Sequence, residues 1–515
     1  MRRATVLALL GLCIALRVVS LVRPCLSDDE AIYAVVAREM LSGHELYVDI
    51  VDHKPPAIYV TYAATQALGG PVGGMVLLHA LLIGVVFATG LLLARIVRRQ
   101  WPGSDPRAPV AAAVLWIVFT TTLVDVDALA ANCELFMMLP LVAGVVVFLE
   151  ARDRLARYMF AGALIAAGCL FKYQAGIQLP VLALAVLVRC SDRGLARRFA
   201  VLVAIGAGFV ALAAAAAGIL WLRGGFPAAV FWLKFNFAYI EAGTSSHELW
   251  VRLAIRGGLV VGSAALLYSL GIAAVITGRR EPFVRFMAGW LVASAVAVFV
   301  GGRFFGHYFH QLTAPLAILA APATVRLWER RRAFAALAIG VPAAGYLVLG
   351  ALHGRLMALY GEPDPDYASV ASWLDQRGDG ALCVWGNSPV LYFEAERPLG
   401  CRFVFSNYLT GASPATATQT DATVDSSGNI VPEAWGMFER DLAGRQPRFI
   451  ADGSPGNVGF YGKYPPDKFP RLLRALECAY EPVADVSGMR IYERRARPRC
   501  ELERGDSPPS RRDLQ

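Results

Sequence analysis

Apolar segments long enough to cross a membrane recur along the first 350 of the 515 residues. A spanning helix needs roughly 20 mostly apolar residues. Hydrophobic residues make up 56% of the sequence and charged residues only 17%, so one water-soluble core cannot bury all the apolar side chains. The sequence therefore predicts a polytopic α-helical membrane protein. The predicted spans are residues 4–22, 72–94, 108–124, 135–149, 158–171, 175–188, 199–222, 257–277, 283–301, 308–325 and 333–352.

Basic residues predict how the spans are oriented, because short cytoplasmic loops carry an excess of Lys and Arg. Alternate loops of this chain carry that excess. A single helix over 158–188 would place the arginines of 189–198 on the opposite side, so we expect two short helices that turn at Lys172. This gives about 11 transmembrane helices with a cytoplasmic N-terminus. We expect Arg17, near the outer end of the first span, to snorkel to the interface.

The predicted orientation divides the chain into membrane and outer regions. The bias toward Arg, Ala and Gly indicates a bacterial inner (plasma) membrane protein, with its terminal domain periplasmic or extracellular. The net charge of +9 belongs largely to cytoplasmic loops and the tail, so we expect membrane lipids and no nucleic acid as partners. The predicted regions are a transmembrane domain (1–352) with outer loops 23–71 and 223–256, an outer domain (353–496) and a disordered tail (497–515).

Short apolar runs separated by turn signals predict a small C-terminal α/β domain. Residues 409–431, rich in Thr, Ser, Ala and Gly, are predicted to form a mobile loop. The predicted strands are 381–386, 402–406 and 448–452, the helices are 366–376, 433–443 and 467–477, and a hairpin covers 480–494. Disulfides are expected in an outer domain, but the pairing of its cysteines is left open; these are Cys383, Cys401, Cys478 and Cys500.

Three consecutive acids open the first outer loop. Ser27-x-x-Glu30 fits a capping box for a helix that runs to about Leu41. Capping accounts for Glu30 and one aspartate, but it does not require three acids beside an anionic lipid surface. Asp29 is therefore a candidate for a chemical role, with helix capping as the alternative.

The same loop ends in Asp52-His53-Lys54-Pro55-Pro56. Pro55 keeps Lys54 out of the helical region, and Pro56 suits the start of a helix. A lysine just before a helix N-terminus makes an anion site, because the free backbone N–H groups and the ammonium point the same way. Pairing of Lys54 with lipid head groups is the alternative.

Basic and aromatic residues alternate between the ninth and tenth spans, over Gly301 to Gln311. If this segment is helical from about Arg303, then Arg303, His307 and Gln311 or His310 share one face and can hold a phosphate. An interfacial aromatic belt is the alternative, but it explains only the Phe and Tyr residues.

A fourth cluster lies in a short outer loop and contains Asp125, Asp127, Asn132 and Glu134. It can orient a sugar or an acceptor, hold a divalent cation, or form an ordinary solvated turn. Lys172, at the tip of the short helix pair, is expected to face a cavity or to snorkel. The cysteines show no metal-binding spacing, and the cofactor is left open.

A carboxylate and cations beside an apolar wall suit a sugar joined to a polyprenyl phosphate. The leaving phosphate has a second pKa of about 6, so no general acid has to protonate it. Asp29 would be the base that accepts the acceptor's proton, and Lys54, Arg303 and His307 would bind the donor phosphate. Direct displacement would invert the anomeric configuration. A transporter or flippase of lipid-linked sugars, and a membrane-anchored binding protein, are the alternatives.

Several of these motifs resemble those of the GT-C membrane glycosyltransferases, in particular glycosyltransferase family 39, which contains the protein O-mannosyltransferases, and the lipid A aminoarabinose transferases. The motifs are Asp29-Glu30, Tyr33, Ala37-Arg38-Glu39-Met40, Gly43, His53-Lys54-Pro55-Pro56, Asn132-Cys133-Glu134-Leu135-Phe136 and Arg303-Phe304-Phe305-Gly306-His307-Tyr308.

The resemblance implies a hexosyl- or pentosyltransferase that uses a polyprenyl-phosphate sugar on the outer face, with a lipid, glycan or protein as acceptor. It also implies that Asp29 and Glu30 form the catalytic element and that Lys54 binds the donor phosphate. An additional acid, Asp28, precedes this pair. Family members differ in metal use. The residues assigned to substrate binding are His53, Asp127, Glu134, Tyr308, Gln311 and Lys172.

Overall fold

The computed structural model describes residues 1–22, 25–122, 128–189, 194–241, 246–359, 366–414 and 416–502. Helices follow the predicted apolar segments. Those of the membrane region are α1 (Arg3–Val22), α2 (Asp28–Leu41), α3 (Ala57–Gln100), α4 (Ala108–Phe119), α5 (Cys133–Leu149), α6 (Leu155–Phe171), α7 (Gln178–Arg189), α8 (Leu195–Leu222), α9 (Phe226–Glu241), α10 (Ser246–Arg252), α11 (Gly258–Ser263), α12 (Ala265–Thr277), α13 (Pro282–Val300), α14 (His310–Arg330) and α15 (Arg332–Leu359).

Several of these helices have the length and apolar character of membrane spans. Within the described ranges, α1, α3, α8 and α13 can each cross a membrane, and the bent pair over His247–Ser263 and Ala265–Thr277 would make a fifth span. The apolar helices α4, α5 and α6 are shorter. The chain is therefore a multi-pass membrane protein, while the eleven crossings and their orientation stay a prediction.

Two local features of the membrane region differ from a simple straight span with an interfacial arginine. Residues 257–277 do not form one straight helix, because the chain bends by 89° where Ala264 leaves the helical conformation (φ −116°, ψ 27°) after a π-helical turn. Arg17 does not snorkel; it is fully buried, and its Nη2 donates to the carbonyl oxygen of Leu129 at 2.8 Å. A backbone acceptor inside the protein therefore takes the place of interfacial water.

The turn predicted at Lys172 is confirmed. Helix α6 ends at Phe171, Lys172 is extended (φ −154°, ψ 121°), and a 3₁₀ turn over Tyr173–Ile177 leads into α7. The extended residue interrupts the helical hydrogen bonds, so the lysine side chain lies at the tip of a helix pair.

A four-stranded mixed sheet forms the centre of the C-terminal domain, in the order β1-β2-β4-β3. β1 and β2 pair in parallel, with Cys383 opposite Ile450, and both are buried along their length. The strands are β1 (Leu382–Trp385), β2 (Phe449–Asp452), β3 (Tyr480–Val486) and β4 (Met489–Arg494). The helices are α16 (Tyr367–Asp375), α17 (Pro389–Glu394), α18 (Asn407–Thr410), α19 (Ala417–Thr420), α20 (Pro432–Gly444) and α21 (Pro470–Ala479).

Two segments of this domain differ from the prediction. Residues 402–406 are not a strand: the segment forms turns and one bridge, from Phe403 to Val51 of the first outer loop. The predicted mobile loop 409–431 instead contains helix α19 and a 3₁₀ turn, with several buried side chains. Its hydroxyl groups bind nearby backbone, as when Ser426 Oγ donates to the carbonyl oxygen of Thr410 at 2.7 Å.

Two disulfides cross-link the C-terminal domain. Cys383 pairs with Cys401, and Cys478 pairs with Cys500. The second bond ties residues 497–502, predicted as the start of the tail, to helix α21. Residues 503–515 lie outside the described residues.

Hydrogen bonds fasten the C-terminal domain to the first outer loop. Arg38 donates to the carbonyl oxygens of Tyr392 (3.1 Å) and Arg397 (2.6 Å). On the next residue, the Glu39 carboxylate accepts from the backbone N–H of Leu399 at 3.1 Å. The domain is therefore held in a defined position over helix α2.

We expect Arg38→Ala to weaken this attachment, because it removes both donors and leaves two carbonyl groups without that partner. The free energy of unfolding of the C-terminal domain should fall by about 1–3 kcal/mol. Thermal unfolding of the purified protein in detergent measures the change. Arg279→Ala, which truncates an exposed arginine far from this interface, is the control; equal stability of the two variants would contradict the prediction.

Candidate functional site

A cavity of about 740 Å³ lies between the membrane helices and the C-terminal domain. The first outer loop, the ends of α5 and α6, the connection before α14 and the C-terminal domain all contribute to its walls. Its charged lining residues come from the membrane region, and they include Asp29, Lys54, Glu134, Lys172 and His307.

The start of helix α2 positions Asp29. Ser27 has an extended backbone, and its Oγ accepts the backbone N–H of Glu30 at 3.3 Å, as predicted for a helix cap. Asp29 therefore lies in the first turn. Its Oδ1 accepts from Lys54 Nζ at 2.7 Å, and the two side chains are 31% and 19% exposed. The carboxylate and the ammonium thus form an ion pair at the cavity wall.

Two tyrosines hold Lys54 in place. The Tyr47 hydroxyl donates to the carbonyl oxygen of Lys54 at 2.6 Å, and the ammonium lies 4.5 Å from the centroid of the Tyr33 ring. The π face of Tyr33 attracts a cation. The lysine is therefore fixed at both its backbone and its charged end.

The ion pair keeps both of its members charged. Burial would raise the pKa of Asp29, but the charges of Lys54 and His307 more than offset it, so this pKa lies below its usual value. Burial would lower the pKa of Lys54, but Asp29 and Asp52 raise it above its usual value. Asp29 is therefore a carboxylate, able to accept a proton, at neutral pH.

Asp52 and His53 connect the first outer loop to the C-terminal domain. The buried Asp52 carboxylate accepts from the Tyr59 hydroxyl at 2.6 Å and from the His53 backbone N–H at 2.7 Å. His53 Nδ1 lies 3.0 Å from the hydroxyl of Tyr408, which belongs to the C-terminal domain. Asp52, which the sequence analysis named in this motif without a role, and Tyr408, which it did not name, thus help to order the site.

A second charged cluster lines the same cavity. The Lys172 ammonium forms an ion pair with the Glu134 carboxylate and lies 3.9 Å from the centroid of the Tyr308 ring. His307 Nε2 is 3.7 Å from Glu134 Oε1. Four predicted site residues thus lie together in the same cavity as Asp29 and Lys54: Glu134, Lys172, His307 and Tyr308.

Some predicted site residues, among them Glu30 and Gln311, do not line the described cavity. Glu30 is fully buried; its carboxylate accepts from the backbone N–H groups of Leu26 and Ala131. Gln311 is also buried and donates to the carbonyl oxygen of Tyr308 at 3.4 Å. Asp127 lies outside the described residues.

Arg303 is also not at the cavity wall. The helix predicted from this residue is wrong, because Gly302 (φ +60°) and Phe304 (φ +52°) adopt left-handed conformations and helical turns start only at Gly306. Arg303 is fully buried, and its Nη2 donates to Ser413 Oγ at 2.8 Å. It supports a segment of the C-terminal domain that lines the cavity.

The outer wall of the cavity was missed by the sequence analysis. It is formed by polar and aromatic side chains of the C-terminal domain, which include Asn387, Asn407, Tyr408, Gln419, Asn429 and Phe460. These residues come from separate segments and share no spacing motif, so only the folded domain shows that they belong together.

A metal site is not evident in the described part of the chain. There, no group of three or more His, Cys, Asp or Glu side chains is arranged to hold a metal ion. Asp125, like Asp127, lies outside that part.

No protein-family model matches the sequence, and no curated protein sequence matches it. Solved structures do match. ArnT from Cupriavidus metallidurans, bound to undecaprenyl phosphate, superimposes with a TM-score of 0.62 at 18% identity, over 96% of this chain and 99% of ArnT. The apo form of ArnT gives a TM-score of 0.60 at 18% identity, over 95% and 97% of the two chains.

A second kind of enzyme has a similar fold. The oligosaccharyltransferase from Archaeoglobus fulgidus, in complex with Zn and sulfate, gives a TM-score of 0.53 at 15% identity, over 95% of this chain and 73% of that one. Both proteins are GT-C glycosyltransferases. The likeness covers nearly the whole chain, so the predicted resemblance is confirmed at the level of architecture: this protein has the GT-C glycosyltransferase fold.

Proposed function

We propose that the protein transfers a sugar from a polyprenyl-phosphate donor to an acceptor, at the outer face of the membrane that it spans. The Asp29–Lys54 ion pair in the wall of the large cavity is the observation that carries this proposal. The pair places a proton acceptor beside a cation that can bind a phosphate. The undecaprenyl phosphate bound to ArnT, which has the same fold, supports a lipid phosphate as the donor's leaving group.

In the proposed reaction, Asp29 removes a proton from the acceptor as the acceptor oxygen or nitrogen forms a bond to the anomeric carbon. The bond from that carbon to the phosphate oxygen breaks, and its electron pair leaves with the polyprenyl phosphate. A single displacement inverts the anomeric configuration. The phosphate is a stable anion, so no acid is required on the leaving side.

Three cationic or protonatable groups line the cavity near the base and would stabilise the departing phosphate: Lys54, Lys172 and His307. The two lysines are paired with carboxylates in the described structure. A bound phosphate would compete for Lys54, and as the ammonium turns toward it, the pKa of Asp29 would rise. Donor binding would thus make Asp29 a stronger base.

We expect Asp29→Asn to abolish most of the transfer, because the amide cannot accept the acceptor's proton. The turnover of a polyprenyl-phosphate sugar should fall about 100- to 10,000-fold. Loss of the ion pair should lower the temperature of thermal unfolding, but the variant should remain folded at the assay temperature. Asp28→Asn is the matched control. Asp28 also lines the cavity, whereas the ion pair with Lys54 is made by Asp29, and we expect the Asp28 variant to lose less than about tenfold. Substantial turnover by Asp29→Asn would refute the role of this base.

The ion pair also predicts a pH dependence. In the wild type the pKa of Asp29 lies below its usual value of 3.8, so kcat/KM should not fall on this account as the pH drops from 7 to about 5. Lys54→Gln removes the positive charge that offsets the effect of burial on Asp29, so the pKa of Asp29 should rise. The fall of kcat/KM on the acidic side of its pH profile should therefore occur at higher pH in this variant. We also expect a loss of about 100-fold at pH 7. Identical acidic limbs in both proteins would contradict the assigned coupling.

We further propose that the C-terminal domain lies outside the cytoplasm. Its two disulfides are typical of an oxidising compartment, and the arginine-rich loops predict a cytoplasmic location for the opposite ends of the helices. Alkaline phosphatase fused after Gln515 should therefore be active in bacterial cells, whereas the same enzyme inserted at Arg279 should be inactive. The reverse pattern would overturn the orientation.

A further inference from the structure

The two walls of the cavity differ in charge. The membrane-side wall carries the ion pairs of Asp29 and Glu134. The described residues that the C-terminal domain contributes to the cavity are all uncharged. This outer wall therefore offers amides, hydroxyls and aromatic rings to whatever occupies the outer half of the cavity.

Phe460 is an exposed aromatic residue of this outer wall. Its side chain is 46% exposed, and it is the only large hydrophobic residue of the described C-terminal domain that is so exposed. Its backbone is left-handed (φ +64°), which is unfavourable for a bulky residue. Such conformations persist where the surrounding structure enforces them, and they concentrate at binding sites.

The turn that carries Phe460 is tightly held. Asn457 Oδ1 accepts the backbone N–H of Gly462 at 2.8 Å, and the N–H of Val458 donates to the carbonyl oxygen of Gly453 at 2.8 Å. Gly459 (φ +63°) packs so closely that an added Cβ would lie 2.5 Å from the carbonyl oxygen of Asn387. The ring is thus presented at the cavity by a turn with little freedom to move.

Polar side chains of the outer wall are fixed as well. Gln419 Nε2 donates to the carbonyl oxygen of Gly459 at 3.3 Å, and Asn429 Nδ2 donates to that of Gly411 at 3.4 Å. Asn407 Oδ1 accepts from the Tyr461 hydroxyl at 2.7 Å. An amide carries two donors and an acceptor oxygen with two lone pairs, so Asn407 and Asn429 keep hydrogen-bonding capacity beyond these contacts.

Fixed amides beside an exposed ring match the chemistry of a sugar. Amides can both donate to and accept from hydroxyl groups, and an aromatic face packs against the apolar C–H face of a pyranose. Among the described residues of the outer wall, a phosphorylated acceptor would meet no cation and a basic peptide would meet no carboxylate. The charge of the wall therefore selects against both.

We propose that the outer wall binds an uncharged carbohydrate acceptor, with Phe460 stacked on its sugar ring. This inference rests on the proposed function, because the donor phosphate occupies the charged wall beside Lys54. The acceptor then enters from the aqueous side, past the exposed ring, and presents a hydroxyl group to Asp29.

The first test compares acceptors with the full-length protein in lipid nanodiscs. A polyprenyl-phosphate-linked radiolabelled hexose is offered with a neutral oligosaccharide, a phosphorylated glycolipid or a Ser/Thr-containing peptide. We expect transfer to the neutral oligosaccharide. Preferred transfer to the glycolipid or the peptide would overturn the inference while leaving the proposed function intact. Failure to cleave the donor under any condition would overturn the proposed function.

The second test changes the aromatic ring. We expect Phe460→Ala to raise the acceptor KM about tenfold with little change in kcat, and Phe460→Trp to return it to within about threefold of the wild type. Glu477→Ala, which alters an exposed side chain of the same domain outside the cavity, is the control. An unchanged KM in Phe460→Ala would overturn the inference.

A binding measurement does not depend on turnover. Calorimetric titration of the neutral oligosaccharide into each variant should show the same roughly tenfold weakening in Phe460→Ala. Gly459→Ala is a second variant. It keeps the aromatic side chain of Phe460 but forces the turn that carries this residue away from Asn387. It should weaken binding too. Wild-type affinity in both variants would show that the carbohydrate does not use this surface.

Discussion

The ion pair between Asp29 and Lys54 is the interaction on which the arrangement of the site depends. Either charge alone would be costly in a wall largely screened from water, because it would lose hydration without gaining a partner. At 2.7 Å, each charge stabilises the other. The pair also connects the start of helix α2 to the segment before α3, so that the geometry of the site and the folding of the first outer loop are coupled.

The first outer loop holds the two halves of the protein together. Arg38 and Glu39 bind backbone groups of the C-terminal domain, and His53 contacts Tyr408 across the cavity. The same loop carries the ion pair. A displacement of the C-terminal domain would therefore pull on the segment that positions Asp29 and Lys54. This coupling explains why a domain without a recognisable catalytic motif can nevertheless define the outer part of the site.

Local signals in the sequence were sufficient to predict much of the membrane region. Apolar length predicted the helices, the capping box predicted the start of α2, and an excess of arginine predicted the turn at Lys172. The convergence of Asp29 with Lys54 followed from their return to one membrane face. By contrast, the left-handed residues Gly302 and Phe304 place Arg303 in the interior, and nothing in the local pattern distinguishes that arrangement from a helix.

The outer wall could not be predicted for a different reason. Asn387, Gln419 and Phe460 are far apart in sequence, and each is ordinary in its own segment. Their common property, the lack of charge, becomes meaningful only when the fold sets them opposite a wall that contains several ionic side chains.

This separation of charge has a physical consequence for the proposed reaction. A phosphate and an acceptor must occupy one cavity without exchanging places. Lys54 and the other cationic groups of the membrane-side wall favour an anion there. On the described outer wall no charged side chain would compensate the anion for the hydration that it loses on entering the cavity. The outer wall would thus distinguish the acceptor from the phosphate as much by its lack of charged side chains as by the amides, hydroxyls and aromatic ring that it offers. The orientation of the two substrates relative to Asp29 thus follows from the electrostatic difference between the walls.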